Sequence, residues 1–177
     1  TAVSNRSIIT LDVDNANNQF WADFLLEFDN AALLHATHKH STTSPRLRLI
    51  MPLLREVSSD EYMAISRYVA GQLGIELFDN TTFQAYRLMF WPSCPRDVDY
   101  YCMFKDAPWL DPDEILANYA DWTDSTSWPT SDQLTTDVKA AISKQQDPSE
   151  KKGIVGAFCR TYSIKEAIDL ALATSPV

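Results

Sequence analysis

The chain has 177 residues and a mass of 20.0 kDa, is 45% hydrophobic and 22% charged, and carries 4 glycines and 9 prolines; this suits one globular domain, with or without a helical appendage, and excludes collagen-like, low-complexity and membrane-spanning classes. The formal charge of −9 is uneven, with −3 over residues 1–45, zero over 46–105, −8 over 106–138 and +2 over 139–177, so a polyanionic partner for the first hundred residues is not excluded. Cys94, Cys102 and Cys159 are too few and too irregularly spaced for a disulfide framework or a structural zinc site; they fit a reducing cytoplasm and read as buried or idle thiols.

The chain opens on Thr1 without a methionine or signal-like segment, and reads as a piece of something longer. SIITLDVD (7–14) predicts a strand with Ile9, Leu11 and Val13 on one apolar face. NANNQFWADFLLEFDN (15–30) predicts an amphipathic helix, with Phe20, Phe24, Leu25 and Phe28 at helical spacing and Asn or Asp available as its cap. AALLHATHKH (31–40) and RLRLIMPLL (46–54) read as strands joined by STTSP, a loop of hairpin length. SSDEYMAISRYVAGQLGI (58–75) is a second helix, capped by Ser58 or Ser59 and ended by Gly74. FDNTTFQAYRLMFWPS (78–93) reads as loop and strand stopped by Pro92, and DVDYYCMFKD (97–106) as another strand. Beyond Pro108 come an acidic helix in DPDEILANYADW (111–122), a Ser/Thr/Pro loop, a helix near 131–146, a polar break at QDPSEKKG (146–153) and a helical pair over 154–172. The order β-α-β-β-α-β with one further strand predicts an α+β fold of the RRM-like or ferredoxin-like split β-α-β kind, helices packed on one face of the sheet, the other face open, and a C-terminal helical appendage.

Strand side chains alternate faces, so Asp12 and Asp14 share one, His38 and His40 share one, and Arg46 and Arg48 share one opposite Leu47, Leu49 and Met51. All three histidines, His35, His38 and His40, fall within six residues. Two carboxylates held together repel unless a cation lies between them, and Mg²⁺ or Mn²⁺ takes such oxygen ligands. A third carboxylate, best placed at Asp79, would complete a two-ion site able to clamp a triphosphate and a 3′-hydroxyl, with arginines and a histidine on the phosphate oxygens. The chemistry implied is nucleotidyl transfer. Each residue also has an ordinary structural use: Asp14 can cap the following helix, the histidines can be surface hydrogen-bonders, Arg46 and Arg48 can solvate a hairpin face, and Asp79 with Asn80 can form an Asx turn.

At these residues the chain resembles the primase-polymerase domain of the archaeo-eukaryotic primase superfamily, in the phage and prophage form associated with virulence-associated protein E-like or D5-like helicases. TLDVD supplies the acidic motif ending a strand, HATHKHSTTSPRLRLIMPL resembles the second motif and FDNTTFQAYRLMFWPS the third, with Phe78-Asp79 as its hydrophobe and acid. The likeness runs from about Ser7 to Trp128 and returns in GIVGAFCRTYSIKEAI. Where the superfamily carries S-x-H this chain has Ala36-Thr37-His38, so the hydroxyl is missing and His40 competes with His38 for the nucleotide; His38 is favoured, with the other histidine near the phosphates.

The resemblance implies a catalytic core over 1–107, with 108–177 as an extension packing on it and leading to a downstream helicase domain. It implies a DNA primase or primase-polymerase, working in the cytoplasm of a bacterial host for a phage or prophage. Catalytic Asp12, Asp14 and Asp79 would bind two Mg²⁺ or Mn²⁺ ions, and His38, His40, Arg46, Arg48 and Arg87 would hold the NTP or dNTP. Single-stranded DNA template would lie across the sheet on Arg87, Phe90 and Trp91. Two other readings come from different classes. His38-Lys39-His40 is similar to the His-hydrophobe-His site of rolling-circle initiators, with Tyr62 or Tyr68 as nucleophile, although Lys39 departs from that pattern. An RRM-like sheet could also hold nucleic acid without catalysis.

Overall fold

Alternation of apolar and polar residues places β1 (Arg6–Val13) with Ile9, Leu11 and Val13 fully buried beneath two helices. The computed structural model describes residues 3–94, 96, 100–132 and 154–174. Its first compact unit runs from Thr1 to Leu134 and its second from Thr135 to Val177. In the first unit, β2 (Ala32–Ala36), β3 (Leu47–Val57) and β4 (Cys102–Lys105) join β1 in a four-stranded sheet of order β1-β3-β2-β4, every neighbouring pair antiparallel. β3 therefore lies between β1 and β2. The unit is α+β, and the expected helices on one sheet face are α1 (Phe20–Glu27) and α2 (Ser59–Leu73).

Helix α1 buries Phe20 and Phe24, and Phe28 just past its end is buried too, but Leu25 is exposed, and Gln19 rather than Asn or Asp precedes the helix, without a side-chain cap. The three phenylalanines already fill the face toward the sheet, which leaves Leu25 outside. Helix α2 has the expected start: Ser58 Oγ accepts from the Glu61 amide while the Glu61 carboxylate accepts from the Ser58 amide, a reciprocal capping box. It ends at Gly74, whose φ of +92° is open to glycine at little cost.

Two expectations fail for local reasons. The strand expected within 78–93 does not form; Phe78 makes one isolated bridge to Val13, and a 3-10 turn follows at Asn80–Phe83. Asp79 caps that turn and Thr82 Oγ1 spends its hydrogen bonds on Thr10 O and Asp12 N, so side chains take up backbone groups that a ladder would need. The second strand stops at Ala36 instead of running to His40: Thr37 N still donates to Arg46 O, but Thr37 O accepts from His40 N in a turn and Arg46 N donates to His40 Nδ1, so the return bond of the ladder is not made.

The acidic stretch packs on the same core. Leu110 bridges Leu53, Ile115 and Leu116 of α3 (Pro112–Leu116) are buried, and Tyr119, Trp122 and Trp128 lie against the core. A Cβ at Gly71 of α2 would meet Pro129 at 3.0 Å, which shows how closely this stretch is seated. Its acids stay at the surface, where Asp113 pairs with Arg55. In the second unit, α4 (Ile154–Thr161) and α5 (Ile164–Thr174) form the expected pair, and Ser163 and Glu166 make a second reciprocal cap. Apart from its first two residues, the helix expected near 131–146 lies outside the described residues, as does the polar break at 146–153. No helix among the described residues is long and apolar enough to cross a membrane.

Candidate functional site

Strand register builds the site. Asp12 lies opposite Arg48, and Arg48 lies opposite His35, so three strands contribute one cross-strand row on the face away from the helices. Arg48 Nε and Nη2 donate to the two Asp12 carboxylate oxygens at 2.6 and 3.2 Å, a bidentate pair, and Arg48 Nη1 donates to Phe90 O at 2.7 Å. Both side chains are largely buried, Arg48 at 10% and Asp12 at 15% exposure. The face expected to be open is therefore covered at this row: His35 is buried as well, its Nδ1 is bonded to Ala36 O and its ring stacks on Tyr100. Partial desolvation pushes the Tyr100 and Tyr101 phenols up, although both residues stay more than a third exposed.

One residue beyond β1, Asp14 pairs with Arg46 at 2.9 Å, half-exposed on both sides. Asp12, Asp14, Arg46, Arg48, His38 and Lys39 converge on one cleft of about 250 Å³, closed over by Phe90–Ser93, and His35 contributes its edge. His38 is exposed and lies 3.3 Å from Ser93 Oγ. Two carboxylates, two guanidiniums, a lysine and a histidine around one opening can hold an anionic group against the cations, or a cation against the carboxylates.

The other expected residues are disposed differently. Asp79 is tied to Asp12 through the backbone, its amide donating to Asp12 O at 3.0 Å, but its carboxylate accepts from Thr81 N and Thr81 Oγ1 and does not line the cleft. His40 does not share a face with His38, because the strand has ended before either: it lines a separate cavity beside Tyr101 and Trp21. Arg87 is exposed, as are Phe90 and Trp91, the latter two at 77% and 91%. Tyr62 is fully buried and donates its hydroxyl to Thr10 O, while Tyr68 packs edge-on against Tyr119; as folded, Tyr62 is not available as a nucleophile. Cys94 and Cys102 are free and exposed rather than buried.

Residue reading alone counts His35 in the histidine cluster without giving it a place in the site, and passes over Thr82. The strand register that sets His35 against Arg48 would have found the first; nothing in the local pattern marks Thr82, whose hydroxyl joins β1 to the turn carrying Asp79.

The donor chemistry of Asp12, Asp14 and Asp79 fits a hard divalent ion, which takes carboxylate oxygens. Among the described residues no three acids, histidines or cysteines stand grouped as a ready ligand set, and each of these carboxylates is engaged by an arginine or a threonine. The family model of the VapE N-terminal domain matches residues 1–131. No curated protein and no solved structure matches the chain.

Proposed function

The chain belongs to the VapE N-terminal domain family, and from that premise we propose that it is a primase-polymerase nucleotidyltransferase, making or extending primers on single-stranded DNA in phage or mobile-element replication. The RRM-like reading of its sheet and its place in the archaeo-eukaryotic primase superfamily belong to this proposal. So does a helicase as the downstream partner. The observation that supports it most is the convergence of the Asp12–Arg48 and Asp14–Arg46 pairs with His38 and Lys39 on one cleft beside exposed Phe90 and Trp91.

Asp12 and Asp14 would hold Mg²⁺ or Mn²⁺ in the cleft, and Asp79, tied to Asp12 through its backbone, would complete a two-ion set once its carboxylate leaves Thr81. When bound, such ions supply charge neutralisation at the triphosphate and a lowered pKa at the attacking 3′-hydroxyl. This chain's own residues do the rest. Arg46, Lys39 and His38 draw the phosphates into the cleft, and Arg46 trades its hold on Asp14 for a phosphate oxygen. Arg48, buried and tied to both Asp12 and Phe90 O, keeps the carboxylate and the covering segment in place. Template bases stack on Trp91 and Phe90, and Arg87 follows the backbone.

The test is incubation of the chain with single-stranded DNA, NTPs or dNTPs and Mg²⁺ or Mn²⁺. Labelled polymer should form with the native chain and be lost in Asp12→Ala and in Asp14→Asn, the second of which perturbs only a half-exposed pair. Product undiminished in both variants would refute the assignment.

A further inference from the structure

The cavity on the other side of the 37–46 loop has a different chemistry from the cleft. It measures about 250 Å³, below the usual range for a drug-sized ligand, and among the described residues no Asp, Glu, Lys or Arg lines it. Its polar groups are the amides of Asn17 and Asn18, the Thr42 hydroxyl and the His40 ring, and its flat surfaces are Trp21 and Tyr101. His40 Nδ1 accepts the Arg46 amide proton at 3.2 Å, so the neutral ring carries its hydrogen on Nε2 and offers a donor there. The His40 ring also stacks on Tyr101, with 6.3 Å between centroids and planes 20° apart. Trp21 is backed by Phe24 at 5.2 Å in a near-parallel stack, which stiffens it as a wall. Asn17 Oδ1 is bonded to Gln19 N and its NH₂ is left as donor, while Asn18 presents both a donor and an acceptor. Aromatic walls with mixed donors and acceptors, uncharged among the described residues, suit a planar, neutral, hydrogen-bonding heterocycle and do not suit a phosphate.

The two openings share one wall. Thr37, His38 and Lys39 face the charged cleft and the next residue, His40, faces the neutral cavity; Arg46 faces the cleft and Leu47 the cavity. Adjacent residues are about 3.8 Å apart along the chain. A ligand with a charged half and a neutral aromatic half matches this division, and a nucleotide is such a ligand. Resting on the nucleotidyl-transfer reading, we infer that, before template engages, the cavity of Asn18, Trp21, His40 and Thr42 takes the nucleobase of the nucleotide whose phosphates enter the Arg46–Lys39 cleft, and releases it to pair once template is bound. His40 then serves the base and not the phosphates.

The experiment is calorimetric titration of the full chain, with Mg²⁺ present, by a nucleoside triphosphate and separately by inorganic tripolyphosphate. Trp21→Ala is expected to weaken the nucleoside triphosphate about five- to a hundredfold, and Asn18→Ala about three- to tenfold. Neither should change tripolyphosphate binding, whereas Arg46→Gln should weaken both probes. Asn18 and Thr42 are exposed, so Asn18→Ala and Thr42→Val keep the test alive should Trp21→Ala fail to fold by circular dichroism. If the triphosphate binds and the folded cavity variants leave it unchanged, or weaken tripolyphosphate equally, the base placement is overturned and the nucleotide reading stands. If the native chain binds neither probe, both are overturned.

Discussion

Two aspartate–arginine pairs stand side by side in one cleft and differ chiefly in burial, which makes their energies a test of the site's construction. Arg48→Met keeps most of the aliphatic stem but removes three hydrogen bonds, two to Asp12 and one to Phe90 O, and leaves the Asp12 carboxylate, 15% exposed, without its counter-charge. Breaking a buried pair from one side costs about 3–5 kcal/mol; water can still reach a little of Asp12, so about 2–4 kcal/mol is expected here. Arg46→Met breaks a pair exposed at 36% and 39%, and should cost about 0–1 kcal/mol. Urea unfolding followed by the fluorescence of the five tryptophans reads both. With a slope of about 2 kcal/mol per molar, Arg48→Met should lower the midpoint by about 1–2 M and Arg46→Met by about 0.5 M at most. Adding Asp12→Asn to Arg48→Met should cost about 2 kcal/mol less than the sum of the single changes. An Arg48→Met midpoint no lower than that of Arg46→Met would show that the pair is not the buried tie described here.

Other consequences can be checked separately. Ser58→Ala removes half of the α2 capping box and should cost about 1 kcal/mol in urea unfolding. Gly74→Ala, at φ +92°, should cost about 1 kcal/mol, with no loss of helix by circular dichroism beyond that due to unfolding. Arg55 and the Ser58 groups hold the Glu61 carboxyl below its ordinary 4.5; its folded pKa lies below its unfolded one, so its stabilisation is fully present above about 4.5 and lost as pH falls through the lower folded value. The acid limb of a stability-against-pH curve should therefore be shallower in Glu61→Gln, and an identical limb would contradict that assignment. Trp91→Ala should weaken single-stranded DNA binding by about 1–3 kcal/mol in fluorescence anisotropy without moving the unfolding midpoint, because Trp91 is 91% exposed.

The sites where sequence reading went astray share a cause. Periodicity correctly places Ile9, Leu11 and Val13 in the core, because alternation is a property of one strand against one apolar layer. It extends the second strand through His40 because nothing local forbids this; His40 ends it at Ala36 by donating its amide to Thr37 O and accepting the Arg46 amide on Nδ1, the two groups the next rung would have joined. The same limit hides the state of Asp79, where an Asx turn and an acidic motif are written with the same residues.

From the sequence alone came the residue types of the cleft, the strand faces, the α2 cap and stop, and the uneven charge that leaves the first hundred residues nearly neutral. These depend on neighbours within a few positions, which a linear pattern records. Only the folded chain decided that Arg48 closes on Asp12 across 36 residues, that His38 and His40 part to different cavities, and that the acidic stretch joins the core through Leu110, Ile115 and Leu116. Those outcomes follow from register and packing between distant segments, where the winning contact is set by burial of the whole rather than by any local preference.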